Sequence, residues 1–250
     1  NNPAVEWIIL LFMLLAGTNF MLYAEAIKRG PKVFWQHTET RVYLMVFGLV
    51  SVACAFMIWP DKAGAEEALR DSTFQVAAVM TTTGFGTDDF EVWPSFAKLL
   101  LVGLFFLGGC SGSTAGGMKI FRILVLIKAA FAEIRRSFRP HLITPVRVGR
   151  SVISNESVRE VFAFSAMFAF TVLAGGIAVA LIDGVDGTTS MMASLSCVAN
   201  VGPGLGLIGP TENYGFFSPA TKVLLSGLMI LGRLEILTIA ALFLPSFWRK

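Results

Sequence analysis

Long apolar stretches constrain this chain more than any other feature of its sequence. A helix of roughly 20 apolar residues crosses about 30 Å of hydrocarbon. Of the 250 residues, 55% are hydrophobic and only 15% are charged. We therefore expect an all-α integral membrane protein. The candidate spans are residues 7–26, 42–59, 96–107 with its continuation, 161–182 and 221–247.

The opening residues, "NNPAVEW", lack an initiator methionine, a charged leader region and a cleavage motif. Such a beginning is typical of a cut inside a longer chain. We expect this sequence to be a fragment.

The charged residues alternate in sign along the chain. Residues 28–41 and 119–159 are rich in lysine and arginine, whereas residues 61–98 and 183–222 lean acidic. Because cytoplasmic loops of membrane proteins carry the excess of basic residues, we predict that the basic loops and the C-terminus are cytoplasmic. Because the chain is so apolar, we do not expect its basic stretches to bind nucleic acid. They instead indicate how the chain is oriented across the membrane.

Two segments within the acidic loops are predicted to be helices too short to cross a membrane. Residues 66–82 would form about 25 Å of helix and residues 187–200 about 21 Å. Each precedes a glycine-rich turn, "TTGFG" at 82–86 and "NVGPG" at 200–204, and then a span, "KLLLVGLFFLG" at 98–108 and "KVLLSGLMILG" at 222–232. This internal duplication predicts two repeats of span, re-entrant half-helix, turn and span.

The two glycine-rich turns are predicted to line an ion pathway. Irregular backbone at membrane depth survives only where protein or a water-filled cavity covers it. The C-terminus of a half-helix carries partial negative charge, which favours a cation, and backbone carbonyls can replace the water around that cation. Acidic residues at the mouth, Asp88, Asp89 and Glu91, would concentrate cations. The predicted carbonyl ligands are those of Thr82, Thr83, Gly84, Asn200, Val201 and Gly202.

At these turns the sequence resembles the potassium-transporter superfamily of bacterial Trk and Ktr membrane subunits, and within it the TrkH type. The resemblance implies four linked potassium-channel-like units, each with a degenerate "TVGYG" filter, and a function in potassium uptake. It implies that residues 1–30 are the last helix of the preceding repeat, 31–41 a cytoplasmic loop, 42–139 pore repeat three, 140–156 a cytoplasmic linker and 157–250 pore repeat four. Because the filter match is partial, rubidium and sodium stay open as further permeant ions.

A second glycine-rich segment, "GGCSGSTAGG" at 108–117, interrupts a 40-residue run from 96 to 135. As one helix this run would extend about 60 Å, twice the hydrocarbon thickness, so it must break or turn. The resemblance implies a mobile intramembrane gating loop below the filter; the alternative is a glycine-lined packing surface between helices. The predicted gating residues are Gly108, Gly109, Gly112, Gly116 and Gly117.

Arg233 lies inside the last predicted span, at the repeat position of Gly109. A charge inside a membrane is costly and is usually functional or paired. We predict that Arg233 faces the pore beneath the filter and holds the glycine-rich loop through its carbonyls. Glu235 would face another side of a continuous helix. The alternative is that Arg233 snorkels or pairs with Glu235 of another chain.

Two short motifs suggest enzymes but lack the context that an enzyme needs. Ser111 lies in a Gly-x-Ser-Gly motif, yet the only histidines, His37 and His141, fall in the basic loops, so a serine protease is not expected. "GLGLIG" at 204–209 matches the dinucleotide fingerprint without a preceding strand. We expect no enzyme, no organic cofactor and, because the cysteines are scattered through apolar segments, no disulfide framework or zinc site.

The resemblance also implies a setting and partners: the bacterial cytoplasmic membrane, a homodimer, and a nucleotide-binding ring subunit of the TrkA kind docked on residues 128–159. The rival function is a secondary transporter with two broken helices, which couples a cation to another solute. That rival predicts a pocket of convergent polar side chains, whereas the polar groups here are mainly backbone and threonine hydroxyls. Symport with sodium or protons stays open.

Overall fold

The computed structural model describes residues 2–138, 144–149, 151–236 and 238–239. Within these residues the chain is mostly helical. The helices are α1 (Pro3–Ala16), α2 (Phe20–Arg29), α3 (Lys32–Gln36), α4 (Thr38–Ile58), α5 (Ala65–Met80), α6 (Ser95–Phe106), α7 (Ile120–Phe138), α8 (Asn155–Asp183), α9 (Gly187–Ala199) and α10 (Pro219–Arg233).

In the described part of the chain, two helices are individually long and apolar enough to cross a membrane. They are α4, which a 3-10 turn extends to Asp61, and α8. They contain the predicted spans 42–59 and 161–182. The all-α membrane class predicted from composition is confirmed.

The predicted span at residues 7–26 is wrong as a single helix. It consists of α1 and α2, which meet at 92°. The Thr18 hydroxyl donates to the carbonyl of Leu15 at 2.6 Å, and the Asn19 side chain accepts from the backbone N–H of Met21 at 2.8 Å, so α2 begins with its own cap. A polar insert of three residues scarcely lowers the average hydropathy of the segment, although it stops the helix.

The two predicted short helices form where the sequence places them, as α5 and α9. Both are buried on most sides in their C-terminal halves. Small and hydroxyl-bearing residues allow this close packing: the hydroxyl of Ser194 in α9 donates to the carbonyl of Val172 in α8 at 2.7 Å. Since an added Cβ at Gly175 would overlap Ser194, α8 and α9 are in direct contact there.

The run from 96 to 135 breaks at its glycines, as predicted. Helix α6 has 12 residues, about 18 Å, and α7 starts only after the glycine-rich segment. The predicted span 221–247 also breaks: α10 ends at Arg233, and Glu235 has a positive φ of 61°. The N–H groups of Thr238 and Ile239 then bond to the carbonyl of Glu235, which starts a new turn. The rest of that predicted span lies outside the described residues.

The predicted linker at 140–156 contains a small hairpin that the sequence did not indicate. Strand β1 (Arg147–Val148) pairs antiparallel with β2 (Ser151–Val152). The ammonium of Lys128 in α7 donates to the carbonyl of Arg147 at 2.6 Å, so the hairpin lies against α7. The basic residues Arg139, His141, Arg150, Arg249 and Lys250 lie outside the described residues.

Candidate ion pathway

The two glycine-rich turns, which we call turn A (82–86) and turn B (200–204), have matching backbones. Thr82 and Asn200 occupy the left-handed region at φ of 53° and 58°. Gly84 and Gly202, the glycines matched by the duplication, have positive φ of 74° and 119°. A β-branched residue such as Thr82 rarely adopts this conformation, and such strain is concentrated at functional sites.

The hydrogen bonds that leave the two short helices match as well. In turn A the N–H of Thr82 bonds to the carbonyl of Val79 at 3.0 Å, and in turn B the N–H of Asn200 bonds to Cys197 at 3.1 Å. The C-terminal ends of α5 and α9, with their partial negative charge, therefore meet the turns in equivalent geometry.

Turns A and B lie directly against each other. A Cβ on Gly84 would overlap the carbonyl oxygen of Val201, and a Cβ on Gly202 would lie 3.7 Å from the Cα of Gly84. The residue at 84 must therefore be glycine for two reasons, its positive φ and this close approach. The two segments predicted to share an ion pathway are thus neighbours in space.

The acids predicted at the mouth hold the loops around turn A. The carboxylate of Asp88 lies 2.8 Å from the ammonium of Lys62 and accepts the indole N–H of Trp93 at 2.7 Å. Asp89 caps the short turn that follows by accepting the N–H of Glu91 at 2.9 Å. Each acid therefore has a structural partner, which the sequence pattern did not reveal.

Glu91 joins the loops of the two repeats. Its carboxylate accepts the backbone N–H of Gly206, just beyond turn B, at 3.1 Å. The ammonium of Lys98 lies 3.9 Å from the same carboxylate and donates to the Glu91 carbonyl at 2.9 Å. Glu91 thereby fixes turn B relative to the start of α6.

Lys62 neutralises two carboxylates at the acidic end of the molecule. Its ammonium lies 2.7 Å from Asp71 and 2.8 Å from Asp88. Burial acts to lower the pKa of Lys62, but hydrogen bonds from the ammonium to Asp71 and Asp88, together with their charges, raise it above its ordinary value. Lys62 therefore remains charged at physiological pH, and less negative charge remains near turn A than the sequence suggests.

The glycine-rich loop, residues 107–119, closes on itself between α6 and α7. The N–H of Gly108 donates to the carbonyl of Met118 at 2.7 Å, and the N–H of Ile120 donates to Gly109 at 3.2 Å. A Cβ on Gly108 would overlap the Gly116 carbonyl. The run of glycines therefore makes a compact excursion rather than a helix-packing surface.

The tip of this loop contacts both turns. The N–H of Gly116 donates to the hydroxyl of Thr82 at 2.7 Å. A Cβ on Gly116 would overlap the carbonyl oxygen of Ala199, the last residue of α9, and would lie 3.1 Å from the Cβ of Asn200. No residue larger than glycine fits at 116 in this arrangement.

The other side of the loop rests on the break between α1 and α2. The N–H of Cys110 donates to the carbonyl of Gly17 at 2.9 Å, and the N–H of Phe20 donates to Gly112 at 3.1 Å. The glycine-rich loop is thus hydrogen-bonded to the break between α1 and α2, which the hydropathy pattern did not predict.

Cationic side chains contact the carbonyls of the loop. A guanidinium nitrogen of Arg233 donates to the carbonyl of Thr114 at 2.8 Å, and the ammonium of Lys119 donates to Ala115. Glu235 pairs with Arg122 at 2.9 Å, because α10 has already ended and the spacing of a continuous helix no longer applies. These groups and the glycine-rich loop border a cavity of about 340 Å³.

Glu39 holds both ends of the loop with one carboxylate oxygen. This oxygen accepts the N–H of Ser111 at 2.6 Å, the Ser111 hydroxyl at 3.1 Å and the N–H of Phe121 in the first turn of α7 at 3.1 Å. Glu39 is 8% exposed. Hydrogen bonds to an ionised acceptor are stronger than neutral ones, and a carboxylate is favoured at a helix N-terminus. We call this arrangement the Glu39 clamp.

The structure brings the sequence-predicted residues together in two groups. The six predicted ligand residues lie in turns A and B. The predicted gating glycines lie in the glycine-rich loop, which contacts both turns, and Arg233 contacts that loop from the end of α10. Sequence reasoning missed the contacts of Glu39 and Lys119 with the glycine-rich loop. For Glu39 there was one signal, an acidic residue within an otherwise basic stretch.

The two enzyme-like motifs have structural roles. The Ser111 hydroxyl bonds to Glu39, and "GLGLIG" follows the helix α9 rather than a strand. Cys54, Cys110 and Cys197 are buried and unpaired with one another.

Comparison with known proteins places the whole chain in one family. The family model TrkH, described as cation transport protein, matches residues 1–250. The Trk system potassium uptake protein TrkH of Salmonella typhimurium is 32% identical over all of this chain and 52% of its own length. TrkI of Halomonas elongata is 37% identical over all of this chain and 51% of its own.

A solved structure agrees with this placement. The crystal structure of the potassium transporter TrkH from Vibrio parahaemolyticus matches with a TM-score of 0.92 and 31% identity, covering 100% of this chain and 54% of that one. The chain therefore spans about half the length of the curated relatives that it matches.

We predict that Glu39→Ala destabilises the protein by about 1–3 kcal/mol, because it leaves the partly buried N–H groups of Ser111 and Phe121 without their charged acceptor. Thermal or denaturant unfolding of the purified protein in detergent measures this loss. Glu160→Ala is the matched control, since Glu160 is exposed and a change there should cost no more than about 0.5 kcal/mol. Equal stability of the two variants would show that the Glu39 clamp contributes nothing.

Proposed function

Because this chain belongs to the TrkH family of cation transport proteins, we propose that it is the C-terminal part of a potassium uptake protein of the bacterial cytoplasmic membrane. In this proposal it carries two of four pore repeats, residues 42–139 and 157–250, and does not conduct without the remainder. Turns A and B form half of a selectivity filter. The observation that carries the proposal is the apposition of these two matching turns at the ends of two buried short helices.

The proposed potassium ligands are backbone carbonyls. They belong to Thr82, Thr83, Gly84, Asn200 and Val201, and potassium is the transported ion rather than a resident cofactor. The carbonyl of Gly202, which the sequence also predicted as a ligand, instead accepts the phenol of Tyr214 at 2.7 Å. Two features support this site: the shared left-handed conformations and the proximity of Gly84 to Val201. A dehydrated cation would exchange its water for these oxygens.

The proposed gate is the glycine-rich loop, with Gly108, Gly109, Gly112, Gly116 and Gly117 as its pivots. Its support is the contact of Gly116 with Thr82 and with the end of α9. In this proposal the loop covers the inner face of both turns. Arg233 would hold the loop closed through the Thr114 carbonyl. A fixed cation at this point also repels a permeant cation, so withdrawal of Arg233 and the loop would open the path.

The proposed orientation follows the charges. The basic loops and the C-terminus are cytoplasmic, and turns A and B open toward the outside. Residues 128–159 would receive a TrkA-like nucleotide-binding ring subunit, and the transporter would be a homodimer. The hairpin of β1 and β2, held by Lys128, gives this region a defined surface.

The alternative is a secondary transporter that couples a cation to another solute. The 92° break between α1 and α2 and the break after Arg233 favour this alternative, because broken helices form the binding sites of such transporters. Flux measurements distinguish the two proposals.

We predict that Gly84→Ser relaxes the selectivity of potassium and rubidium over sodium by about tenfold, or 1.4 kcal/mol. The side chain would require a strained positive φ and would overlap the carbonyl of Val201. Potassium, rubidium and sodium flux of the complete transporter in liposomes measures the change.

The control for this variant is Gly103→Ser, because Gly103 lies in α6 with open space around its Cβ position. Its flux should match that of the unchanged protein. If the Gly84→Ser protein is folded and its ion fluxes equal those of the unchanged protein, the filter proposal is contradicted and the broken-helix transporter is favoured.

We predict that Arg233→Ala raises the resting potassium leak several-fold, since it removes the bond to Thr114 and the positive charge beneath the turns. Arg233→Lys, which keeps the charge, should leak less. Arg29→Ala serves as the control because Arg29 is an exposed arginine of α2. The gating role is abandoned if Arg233→Ala leaves both resting leak and regulated flux unchanged.

A further inference from the structure

Turns A and B match in backbone conformation, but different groups hold them in place. In turn A the carbonyl of Ala78 accepts two N–H groups, from Thr83 at 2.9 Å and from Gly84 at 3.2 Å. The duplication aligns Ala78 with Ser196. In turn B the Ser196 carbonyl accepts only the N–H of Val201, at 3.0 Å.

The remaining N–H of turn B bonds to a side chain. The N–H of Gly202 donates to the hydroxyl oxygen of Ser196 at 3.1 Å. The same hydroxyl lies 2.9 Å from the Gly202 carbonyl and 2.8 Å from the Pro203 carbonyl, so it also donates back to the turn. Ser196 is completely buried.

Tyr214 supplies the second donor. Its phenol oxygen lies 2.7 Å from the carbonyl oxygen of Gly202. A serine hydroxyl has one hydrogen, and one assignment satisfies every group: Tyr214 donates to Gly202, and Ser196 donates to Pro203. Burial raises the pKa of Tyr214, so its phenol stays protonated and able to donate.

Tyr214 is fixed by the loop that carries it. It opens the 3-10 turn Tyr214–Phe216, which Asn213 caps by accepting the N–H of Gly215 at 2.7 Å. Its ring lies 5.9 Å from the ring of Phe217. The phenol therefore reaches Gly202 from a defined direction, 12 residues along the chain.

Van der Waals packing does not support turn B on this side. A cavity of about 510 Å³ lies between the turn and α10, bordered by Ser196, Gly202, Tyr214 and Ser226 among others. A peptide segment beside such a space moves unless directional bonds restrain it. A hydrogen-bond network of this kind, anchored on the buried hydroxyl of Ser196, specifies one conformation.

We propose that Ser196 and Tyr214 are positioning residues that fix the carbonyls of turn B and thereby set the discrimination of the pathway between potassium and smaller cations. This inference rests on the proposed function of turns A and B as a filter. A filter that holds its oxygens in place fits sodium less well than potassium, whereas oxygens free to move close around the smaller ion. In turn A the Ala78 carbonyl accepts the N–H groups of both Thr83 and Gly84, so no hydroxyl is needed at the position of Ser196.

The test measures relative potassium and sodium permeability of the complete transporter in liposomes for Ser196→Ala and Tyr214→Phe. Ser196→Ala reproduces the residue that turn A has at this position, and Tyr214→Phe removes only the donor. Each change should lower the potassium-to-sodium ratio about threefold to tenfold, while potassium flux itself stays within about threefold. In the double variant the fold-reduction of the potassium-to-sodium ratio should be smaller than the product of the two single fold-reductions, because both residues hold the same peptide segment.

Ser226→Ala is the matched control. Ser226 borders the same cavity, but its hydroxyl donates to the carbonyl of Lys222 within α10 and not to turn B. Its permeability ratio should equal that of the unchanged protein.

Potassium-to-sodium permeability ratios that stay unchanged in both Tyr214→Phe and Ser196→Ala would overturn the proposed role of these two residues, which we call the turn B brace. If Ser196→Ala fails to assemble, Tyr214→Phe alone decides, because it keeps the volume and ring of the tyrosine. Gly84→Ser separates this failure from failure of the filter itself. Selectivity that responds to Gly84→Ser but not to the brace variants rejects only the brace, whereas selectivity that responds to none of them rejects both.

Discussion

Backbone polar groups that are shielded from water must find partners inside the protein, and the described structure depends on this constraint. Helices α4 and α8 satisfy it by themselves. Turns A and B and the glycine-rich loop cannot, so they bond to the ends of α5 and α9, to one another and to the break between α1 and α2. The irregular segments are consequently gathered in one place, at the centre of the helices that surround them.

Charged side chains bond to backbone groups of the glycine-rich loop that have no backbone partner among the described residues. Glu39 accepts N–H groups from both ends of the glycine-rich loop, while Arg233 and Lys119 donate to carbonyls at its tip. The carboxylate of Glu39 thus accepts free N–H groups of the loop, and the cationic side chains of Arg233 and Lys119 donate to its free carbonyls. This distribution explains why charges occur inside an otherwise apolar chain, where an unpaired charge would be costly.

The sequence predicted part of this arrangement correctly. The all-α membrane class, the helices α5 and α9 and the break at 108–117 are confirmed, and membership in a family of transport proteins confirms that the chain is not an enzyme. The span at 7–26 was wrong as one continuous helix, because a window average does not register Thr18 and Asn19. The structural partners of Asp88 and Glu91 were also missed, since Lys62 and Gly206 are distant in sequence. The repeat boundaries and the roles of the ligand and gating residues stay predictions.

The sequence by itself determined that the chain is mostly helical, that the short helices α5 and α9 end at glycine-rich turns and that these turns occur twice, because apolar periodicity, glycine and capping residues act over a few neighbours. Only the tertiary structure decided that turn B is held by Tyr214, that Glu39 clamps the loop, and that the α1–α2 break supports it. These contacts join residues 12 to 93 positions apart in the chain. No local pattern encodes such pairs, because they form only when the helices pack and leave particular donors and acceptors facing each other.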